Sequence, residues 1–506
     1  MRWPVTARMG IAAILGALAV FGLAPWGYWP VTLVVLLSVP ALFLTACSMR
    51  HAALIGWALG AGWFAHGLIW ISEPFLVDAA RYGWMAPFAV GFMAIGGGLF
   101  WAVAFGTAWR LGRTDASRVI ALIIAWSLVE YIRAYLLTGF PWAALAQIWP
   151  NSDTALLLAW IGPHGLALAT LMATLLPGLA FLKSGTVWVR ITSLAPAAIL
   201  AASSVALAQA RPDVAPLTGK IIRLIQPNAP QHQKWDPAFM GMFFQRQLEY
   251  TSAGPRPDLS DLPNLIVWPE TSVPLQLSQA APAFQAISEA ATDIPVVLGI
   301  QRSEGERYFN SLIYLDEAGQ VAGRYDKHHL VPFGEYIPLG NLAARFGLRG
   351  FAAQAGDGYT AGPGPKVLRL GNLGKALPLI CYEVVFPQDV SGTQERSDFL
   401  LQITNDAWFG RHSGPYQHLA QAQMRAIEQG LPMIRAANTG VSAMIDPWGR
   451  ITDQLALGQA GFVDAGLPTP RTATIYARTG DGPVLLLLLI ATFGLWGLQS
   501  RRTASI

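Results

Sequence analysis

Three side chains with complementary chemistry follow short apolar segments in the second half of the 506-residue chain. Glu270 ends the segment Val-Trp-Pro-Glu, Lys327 lies in Tyr-Asp-Lys-His-His, and Cys381 lies in Leu-Ile-Cys-Tyr-Glu. A thiol becomes a strong nucleophile once a base removes its proton, and an amine stabilises both the thiolate and a later oxyanion. Brought together, the three would form a nucleophile with its base and its cation.

Each of these residues also has an ordinary structural interpretation. A lone buried cysteine is more often a core residue, a glutamate at a strand end is more often a cap or an ion-pair partner, and a lysine after a strand is usually solvated. Their combination favours chemistry, and an idle thiol outside the cytoplasm would be prone to oxidation. Cys47, the other cysteine, lies in an apolar run and is interpreted as packing, so no disulfide framework is expected.

The composition indicates that much of the chain lies in a membrane. Hydrophobic residues make up 53% and charged residues 13%, against about 25% charged in typical soluble domains. A spanning helix needs about 20 mostly apolar residues. The first run could also be a signal peptide, but a second run follows at once, which favours a retained span. We predict eight spans: Met9–Leu23, Val31–Cys47, Ala52–Ile71, Met85–Trp109, Val119–Leu137, Ala155–Leu182, Ile191–Ala208 and Pro483–Leu498.

The distribution of basic residues predicts the topology. With the N-terminus in the cytoplasm, Lys and Arg concentrate in the inner segments, while the short outer loops carry little beyond Arg81. We therefore expect a seven-span domain at 1–210, an extracytoplasmic catalytic domain at 211–481, and a last span with a cytoplasmic tail at 482–506. The formal charge of +4, from 34 basic and 30 acidic residues, is too even for a nucleic-acid-binding protein.

The polar stretch alternates short β-rich runs with helical patterns, which predicts a layered α/β domain. Functional residues in such domains tend to lie at strand ends. A segment rich in Gly and Ala at Gly340–Pro365 is a candidate mobile loop. The predicted strands are Lys220–Gln226, Asn264–Trp268, Pro295–Gln301, Tyr308–Leu315, Val321–Arg324, Val367–Leu370, Ala376–Ile380, Phe399–Thr404, Met433–Ala437 and Val441–Ile445.

Four ordered motifs resemble those of the nitrilase superfamily. They are Trp-Pro-Glu ending at Glu270, Lys-His-His-Leu-Val-Pro-Phe-Gly-Glu at Lys327–Glu335, Cys-Tyr-Glu at Cys381–Glu383, and Asn-Asp-Ala-Trp-Phe-Gly at Asn405–Gly410. The position of this domain between seven predicted spans and one is similar to the bacterial apolipoprotein N-acyltransferase branch. The resemblance implies a polytopic α-helical membrane domain joined to an αββα sandwich.

The resemblance also implies roles for individual residues. Glu270 would be the general base, Lys327 the stabiliser of negative charge, and Cys381 the nucleophile, with the N–H after Cys381 completing an oxyanion hole. Four further residues match positions that the family requires as supporting or substrate-contacting groups: Trp235, Glu335, Tyr382 and Glu383.

The implied reaction is a two-step acyl transfer at the bacterial inner membrane, with a periplasmic catalytic domain. Cys381 attacks an ester carbonyl of a phospholipid, and the thioester passes its acyl chain to the N-terminal amine of a diacylglyceryl-cysteine apolipoprotein. We expect a monomer without a cofactor or nucleic-acid partner. Phe346, Leu348 and Phe351 would form a lipid-facing lid or pack in the core.

No metal site is expected from the sequence. His328 and His329 are adjacent, so on a strand their side chains would face opposite ways.

Other functions remain open at this point. The nearest alternative is a membrane-tethered amidase that uses the same three residues. A transporter with a binding ectodomain is a second, in which Glu130 and Arg133 would mark a pathway, and a structural anchor is a third. Glu130 and Arg133 lie three residues apart on one helix face, so they either pair with each other, with Arg133 extending outward, or contact a headgroup at the outer surface.

Overall fold

The computed structural model describes residues 4–180, 187–256, 261–338 and 358–504. The chain divides into two compact units, one formed by Met1–Pro212 with Thr474–Ile506, the other by Asp213–Ala473. The predicted boundary after residue 481 therefore lies too late along the chain. The reason is that the Asp481 carboxylate accepts hydrogen bonds from Tyr135 and Tyr476, both within the first unit.

The first unit is helical. Among the residues that the structure describes, four segments are long and apolar enough to cross a membrane: Val5–Gly22, Ala79–Leu111, Asp153–Ala180 and Arg190–Ala210. A fifth is obtained if Met49–Gly67 and Ile69–Leu76, bent by 59°, count as one span. Trp29–Phe43 and Gly482–Gly497 are apolar but shorter, so eight spans are not confirmed. The helices are Val5–Ala19, Trp29–Phe43, Met49–Gly67, Glu73–Leu76, Ala79–Tyr82, Ala86–Leu111, Asp115–Tyr135, Leu158–Ala180, Val187–Ala210, Ile475–Thr479 and Gly482–Ala504.

Small residues allow these helices to approach closely. A Cβ atom at Gly98 would lie 2.7 Å from the Trp57 carbonyl oxygen, so only glycine fits where helix Ala86–Leu111 crosses helix Met49–Gly67. Such contacts are typical of helix pairs in lipid, where close packing rather than water exclusion drives association. The outer face of helix Ala86–Leu111 is apolar, with Phe88 and Phe92 exposed.

The ion pair between Glu130 and Arg133 is satisfied inside this unit. Arg133 Nη2 lies 2.6 Å from Glu130 Oε2, and Trp101 donates to Glu130 Oε1 at 2.8 Å. Arg133 also donates to the carbonyls of Phe140 and Trp142 and is only 4% exposed. The expected pair is present, but the expectation that Arg133 extends outward is wrong, because its guanidinium holds the loop after its own helix.

The second unit contains two six-stranded sheets, ordered β12-β1-β2-β3-β4-β5 and β11-β10-β9-β8-β7-β6. Strands β1, β2 and β3 pair in parallel, as do β7, β8 and β9, while the outer pairs are antiparallel. The strands are β1 Leu217–Gln226, β2 Leu265–Val267, β3 Val296–Glu304, β4 Arg307–Leu315, β5 Val321–Asp326, β6 Leu368–Arg369, β7 Lys375–Ile380, β8 Phe399–Thr404, β9 Met433–Ala437, β10 Ser442–Ile445, β11 Ile451–Leu455 and β12 Gly461–Pro468.

The two sheets contact each other through β1 with β9 and β4 with β7. Helix Ala281–Ala291 packs on the outer face of the first sheet, where Ile287 joins Trp268 and Leu298 in the core. Helix Gly414–Gln429 contacts β9 of the second sheet. The predicted αββα sandwich is therefore confirmed. The remaining α-helices in the described part of this unit are Gln231–Lys234, Met240–Ser252 and Pro387–Ser391.

Candidate active site

Cys381 occupies a sharp turn directly after strand β7. Its φ of 52° lies in the left-handed region, which is uncommon for a residue with a side chain. Two side chains hold the turn through its backbone: Gln402 donates to the Cys381 carbonyl oxygen at 3.1 Å, and His418 Nε2 lies 3.0 Å from the same oxygen. Residues held in this conformation cluster at functional sites, where surrounding contacts compensate for the strain.

Buried charges in turn hold the histidine. His418 Nδ1 lies 2.8 Å from Asp406, and Arg435 Nη2 lies 2.6 Å from the other oxygen of that carboxylate. Burial tends to raise the pKa of Asp406, but the Arg435 charge, together with His418 and the Thr404 hydrogen bond, outweighs burial and lowers the pKa to about 2. Asp406 comes from the motif Asn-Asp-Ala-Trp-Phe-Gly, so this motif supports the cysteine turn.

Glu270 lies at the end of the segment that follows strand β2. Its carboxylate accepts a hydrogen bond from the Asn310 amide at 2.6 Å and another from the Asn405 backbone N–H at 2.8 Å. The neighbouring strand permits this approach because residue 299 is glycine. A Cβ atom there would lie 2.7 Å from the Cα of Glu270. The Glu270 carboxylate is thereby held by both sheets, since Asn310 belongs to β4 and Asn405 follows β8.

Lys327 follows strand β5 and is 1% exposed. Its ammonium donates to Glu335 at 2.8 Å and lies 4.0 Å from Glu270 Oε1. Glu335 also accepts from the Val331 backbone N–H, which fixes the carboxylate in place. Asn310 donates to Glu335 at 3.3 Å as well as to Glu270, so the two carboxylates share one amide and one ammonium.

The charges of Glu270 and Lys327 both act on the Cys381 thiol. Burial and the Glu270 carboxylate raise the pKa of Cys381, while the Lys327 charge acts in the opposite direction. Burial also raises the pKa of Glu270. Burial alone would lower the pKa of Lys327, but Glu335, with Cys381 and Glu270, raises it above its ordinary value. At rest the thiol is thus protonated, and the lysine is charged.

Lys234 is a second buried lysine beside the site, and the sequence analysis missed it. Its ammonium donates to the Glu270 carbonyl oxygen at 3.0 Å and to the Thr271 hydroxyl at 2.9 Å. Burial lowers its pKa to about 8, although Glu270 and Cys381 act to raise it. Asn310 was missed too. Lys234 directly precedes Trp235, and only the tryptophan of that short motif was singled out; Asn310 lies inside strand β4, where a polar side chain gives no signal of its own.

Glu383 joins the lysine segment to the cysteine turn. One oxygen accepts from the backbone N–H of Ile380 at 2.7 Å, and the other accepts from the Tyr325 hydroxyl and the His328 N–H, both at 2.8 Å. Glu383 is fully buried. Its position after the cysteine therefore serves structure, because it ties the residue before Cys381 to the residue after Lys327.

The remaining predicted residues lie at the edges of this arrangement. Trp235 is half-buried, with Lys234 Nζ 5.5 Å from the centre of its ring, and it lines a small cavity with Pro269 and Thr271. Tyr382 is buried and packs edge-on against Phe386. The proposed lid residues Phe346, Leu348 and Phe351 lie outside the described residues.

The expectation that His328 and His329 face opposite ways is wrong. Strand β5 ends at Asp326, so neither residue lies on a strand, and both side chains approach the carboxylate of Asp389.

Two family models match the chain. The carbon-nitrogen hydrolase model covers residues 204–476, and the apolipoprotein N-acyltransferase N-terminal domain model covers residues 15–176. A protein of Rhodopseudomonas palustris named apolipoprotein N-acyltransferase is 38% identical over 96% of this chain and 94% of its own length. The chain belongs to the apolipoprotein N-acyltransferase family. A Bradyrhizobium diazoefficiens protein of the same name is 37% identical over the same shares of the two chains.

Membership confirms the resemblance derived from the four motifs, and the protein is an N-acyltransferase with a nitrilase-like domain. Among solved structures, an amidase from Nesterenkonia sp. is similar with a TM-score of 0.36 and 19% identity, covering 51% of this chain and 94% of the amidase.

Proposed function

We propose that the protein transfers a fatty acyl chain from a membrane phospholipid to the N-terminal amine of a diacylglyceryl-cysteine apolipoprotein, through a thioester on Cys381. The observation that carries this proposal is the buried hydrogen-bonded network of Glu270, Asn310, Glu335 and Lys327, in which the charges of Glu270 and Lys327 act on the Cys381 thiol. It provides a base, a fixed cation and a nucleophile in one desolvated site, which is the set that acyl transfer needs.

In the first step Glu270 accepts the thiol proton as Cys381 sulfur bonds to the ester carbonyl carbon. The carbonyl oxygen becomes negative and is stabilised by the Lys327 ammonium and the N–H of Tyr382. Burial raises the pKa of the Glu270 carboxyl, which makes it a stronger base for the thiol proton, while the Lys327 charge lowers the pKa of the Cys381 thiol. Collapse of this intermediate breaks the ester C–O bond, and Glu270 returns the proton to the departing lyso-phospholipid.

In the second step the apolipoprotein amine attacks the thioester. Glu270, again ionised, takes a proton from the attacking nitrogen, and Lys327 again stabilises the oxyanion. The C–S bond then breaks, Glu270 returns the proton to the Cys381 sulfur, and the amide is released. Glu335 keeps Lys327 charged and in position throughout both steps. An amine competes with water for the thioester, so the buried setting favours transfer over hydrolysis.

Lys234 and Asn310 are positioning residues in this account. Lys234 holds the backbone of Glu270 from one side, and Asn310 holds its carboxylate from the other. Both donate hydrogen bonds and neither supplies an acid or base. They keep an otherwise desolvated carboxylate close to the geometry that the proton transfer requires.

The partners and location follow from the same proposal. Both substrates are anchored in one leaflet, so the catalytic domain, which is the unit Asp213–Ala473, lies on the periplasmic side of the bacterial inner membrane, with eight spans in total and the protein acting as a monomer. The transporter alternative loses support, because Glu130 and Arg133 are buried and satisfied by Trp101, Phe140 and Trp142 rather than facing a pathway.

A reaction with two substrates distinguishes the proposed acyl transfer from the amidase alternative. Purified protein in mixed micelles receives a phospholipid with a labelled acyl chain and a synthetic diacylglyceryl-cysteine peptide. We expect label in an amide on the peptide, lost in Cys381→Ser and retained in Cys47→Ser. Hydrolysis of small amides without labelled peptide would favour the amidase instead.

A further inference from the structure

Three potential metal ligands, His328, His329 and Asp389, form a cluster next to Lys327, which the two histidines follow in the chain. One ring nitrogen each of His328 and His329 and a carboxylate oxygen of Asp389 lie within 4.8 Å of one another. Asp389 Oδ2 is 3.4 Å from His328 Nε2 and 2.7 Å from His329 Nδ1. The three side chains are 12%, 18% and 16% exposed, so the cluster is partly open to solvent.

The surroundings of His328 resemble those of a metal ligand. Its Nδ1 lies 2.6 Å from Glu383 Oε1, which directs the other ring nitrogen toward Asp389. That Nε2 atom is buried and makes no hydrogen bond to any of the described residues. A histidine that ligates a metal commonly donates its second N–H to a carboxylate, which fixes the ring and makes it a better ligand.

The second histidine is also fixed in orientation. The His329 ring stacks on Phe386, with centroids 3.5 Å apart and an interplanar angle of 15°. Phe386 is itself fully buried, so the ring has a rigid platform. A ligand held this way loses little conformational entropy when a cation binds.

We propose that His328, His329 and Asp389 bind a divalent transition-metal cation, with Zn²⁺ the best match to two imidazoles and one carboxylate and with water in the fourth position. Ligand atoms about 2.1 Å from a tetrahedral Zn²⁺ are roughly 3.4 Å apart. His328 Nε2 and Asp389 already have this separation. His329 and Asp389 are closer, and rotation of the carboxylate opens that distance as the cation replaces the shared proton.

A cation at this position would act on both catalytic segments through Glu383. This carboxylate bonds the backbone N–H of Ile380, before Cys381, and of His328, after Lys327. A metal on His328 Nε2 makes its Nδ1–H a stronger donor to Glu383, so the lysine segment and the cysteine turn are held more firmly together. The inference does not rest on acyl transfer, because cation binding is measurable without turnover.

The test is a titration of the full-length protein, purified without a histidine tag, with ZnCl₂ and separately with CoCl₂. We expect one saturable Zn²⁺ site per chain by calorimetry and an upward shift of the melting temperature at saturation. Co²⁺ gives visible bands without the intense near-ultraviolet absorption of a sulfur ligand. His328→Gln and Asp389→Asn each weaken binding by about tenfold or more, while His412→Gln, which removes an exposed histidine, leaves binding unchanged.

Three outcomes would overturn the proposal. The first is the absence of saturable binding, which would make the cluster an ion-pair network of protonated histidines. The second is unchanged affinity in His328→Gln and Asp389→Asn variants that melt like the parent protein. The third is loss of the site in Cys381→Ser together with sulfur-ligand absorption for Co²⁺, which would place the cation on the catalytic thiol.

Discussion

Replacement of Lys234 by methionine tests whether this lysine positions Glu270, the proposed general base. The change keeps an apolar stem in the cavity but removes the donor to the Glu270 carbonyl and the Thr271 hydroxyl. A buried acceptor left without its partner costs about 1–3 kcal/mol. If about 2 kcal/mol of this cost is added to the activation free energy, acylation slows by roughly thirtyfold, since about 1.4 kcal/mol corresponds to a tenfold change in rate.

The same substitution also changes the pH dependence. The Lys234 charge helps to keep Glu270 ionised, since it lowers the pKa of that carboxyl, and the base acts only when ionised. Without it the pKa of Glu270 rises further, so the acidic limb of the rate profile moves to higher pH and part of the loss is recovered in alkaline buffer. A lysine that only fills space would lower the rate equally at every pH.

The assay is the rate of Cys381 acylation by phospholipid in single turnover from pH 5 to 9. Lys366→Met, which removes an exposed lysine of the same unit, is the matched control and should match the parent protein. Lys234→Arg, which keeps the charge, should return the acidic limb toward its original position. An acidic limb that stays in place in Lys234→Met, with normal thermal stability, would refute the assigned role.

Three further predictions concern single contacts. Asn310→Leu removes a donor that lowers the pKa of Glu270, so the acidic limb of acylation shifts to higher pH; an unchanged profile would contradict this. Gly299→Ala places a Cβ atom 2.7 Å from the Glu270 Cα, so we expect about 1–3 kcal/mol of destabilisation and a large loss of acylation; normal values for both would contradict it. Arg133→Met leaves Glu130 buried and unpaired, which should cost about 3–5 kcal/mol in unfolding from detergent, and adding Glu130→Gln should recover part of it.

The sequence was sufficient for the elements with strong periodicity. The αββα sandwich follows from apolar runs such as that of β8, whose side chains are all buried. The two strands absent from the prediction, β11 and β12, have no such signal. Strand β11 lies at a sheet edge and is only half-buried, while β12 contains two glycines and ends in proline.

The candidate site was only partly predictable, because motifs mark residues and not their supports. Glu270, Lys327 and Cys381 each follow a recognisable strand. Lys234 and Asn310 depend instead on which atoms approach from other parts of the chain, and no local pattern records that. The histidine pair shows the opposite error, since strand alternation was applied to His328 and His329, two and three residues beyond the end of β5.

The length of the membrane helices shows a third limit. Hydropathy located apolar runs along the first unit, but Trp29–Phe43 and Gly482–Gly497 are shorter than a full span. A helix that packs against neighbours in a bundle need not cross about 30 Å of hydrocarbon alone. Composition therefore predicts a helical membrane domain more firmly than the number of spans.

The most direct test of the central claim is intact-protein mass spectrometry after incubation with native phospholipid and no acceptor. We predict an added mass of one fatty acyl chain on Cys381. Hydroxylamine should remove this mass in one sample, and in a second sample the diacylglyceryl-cysteine peptide should remove it and gain the same mass. Phospholipid consumption without any acyl adduct on Cys381, or an adduct on another residue that persists in Cys381→Ser, would contradict the account.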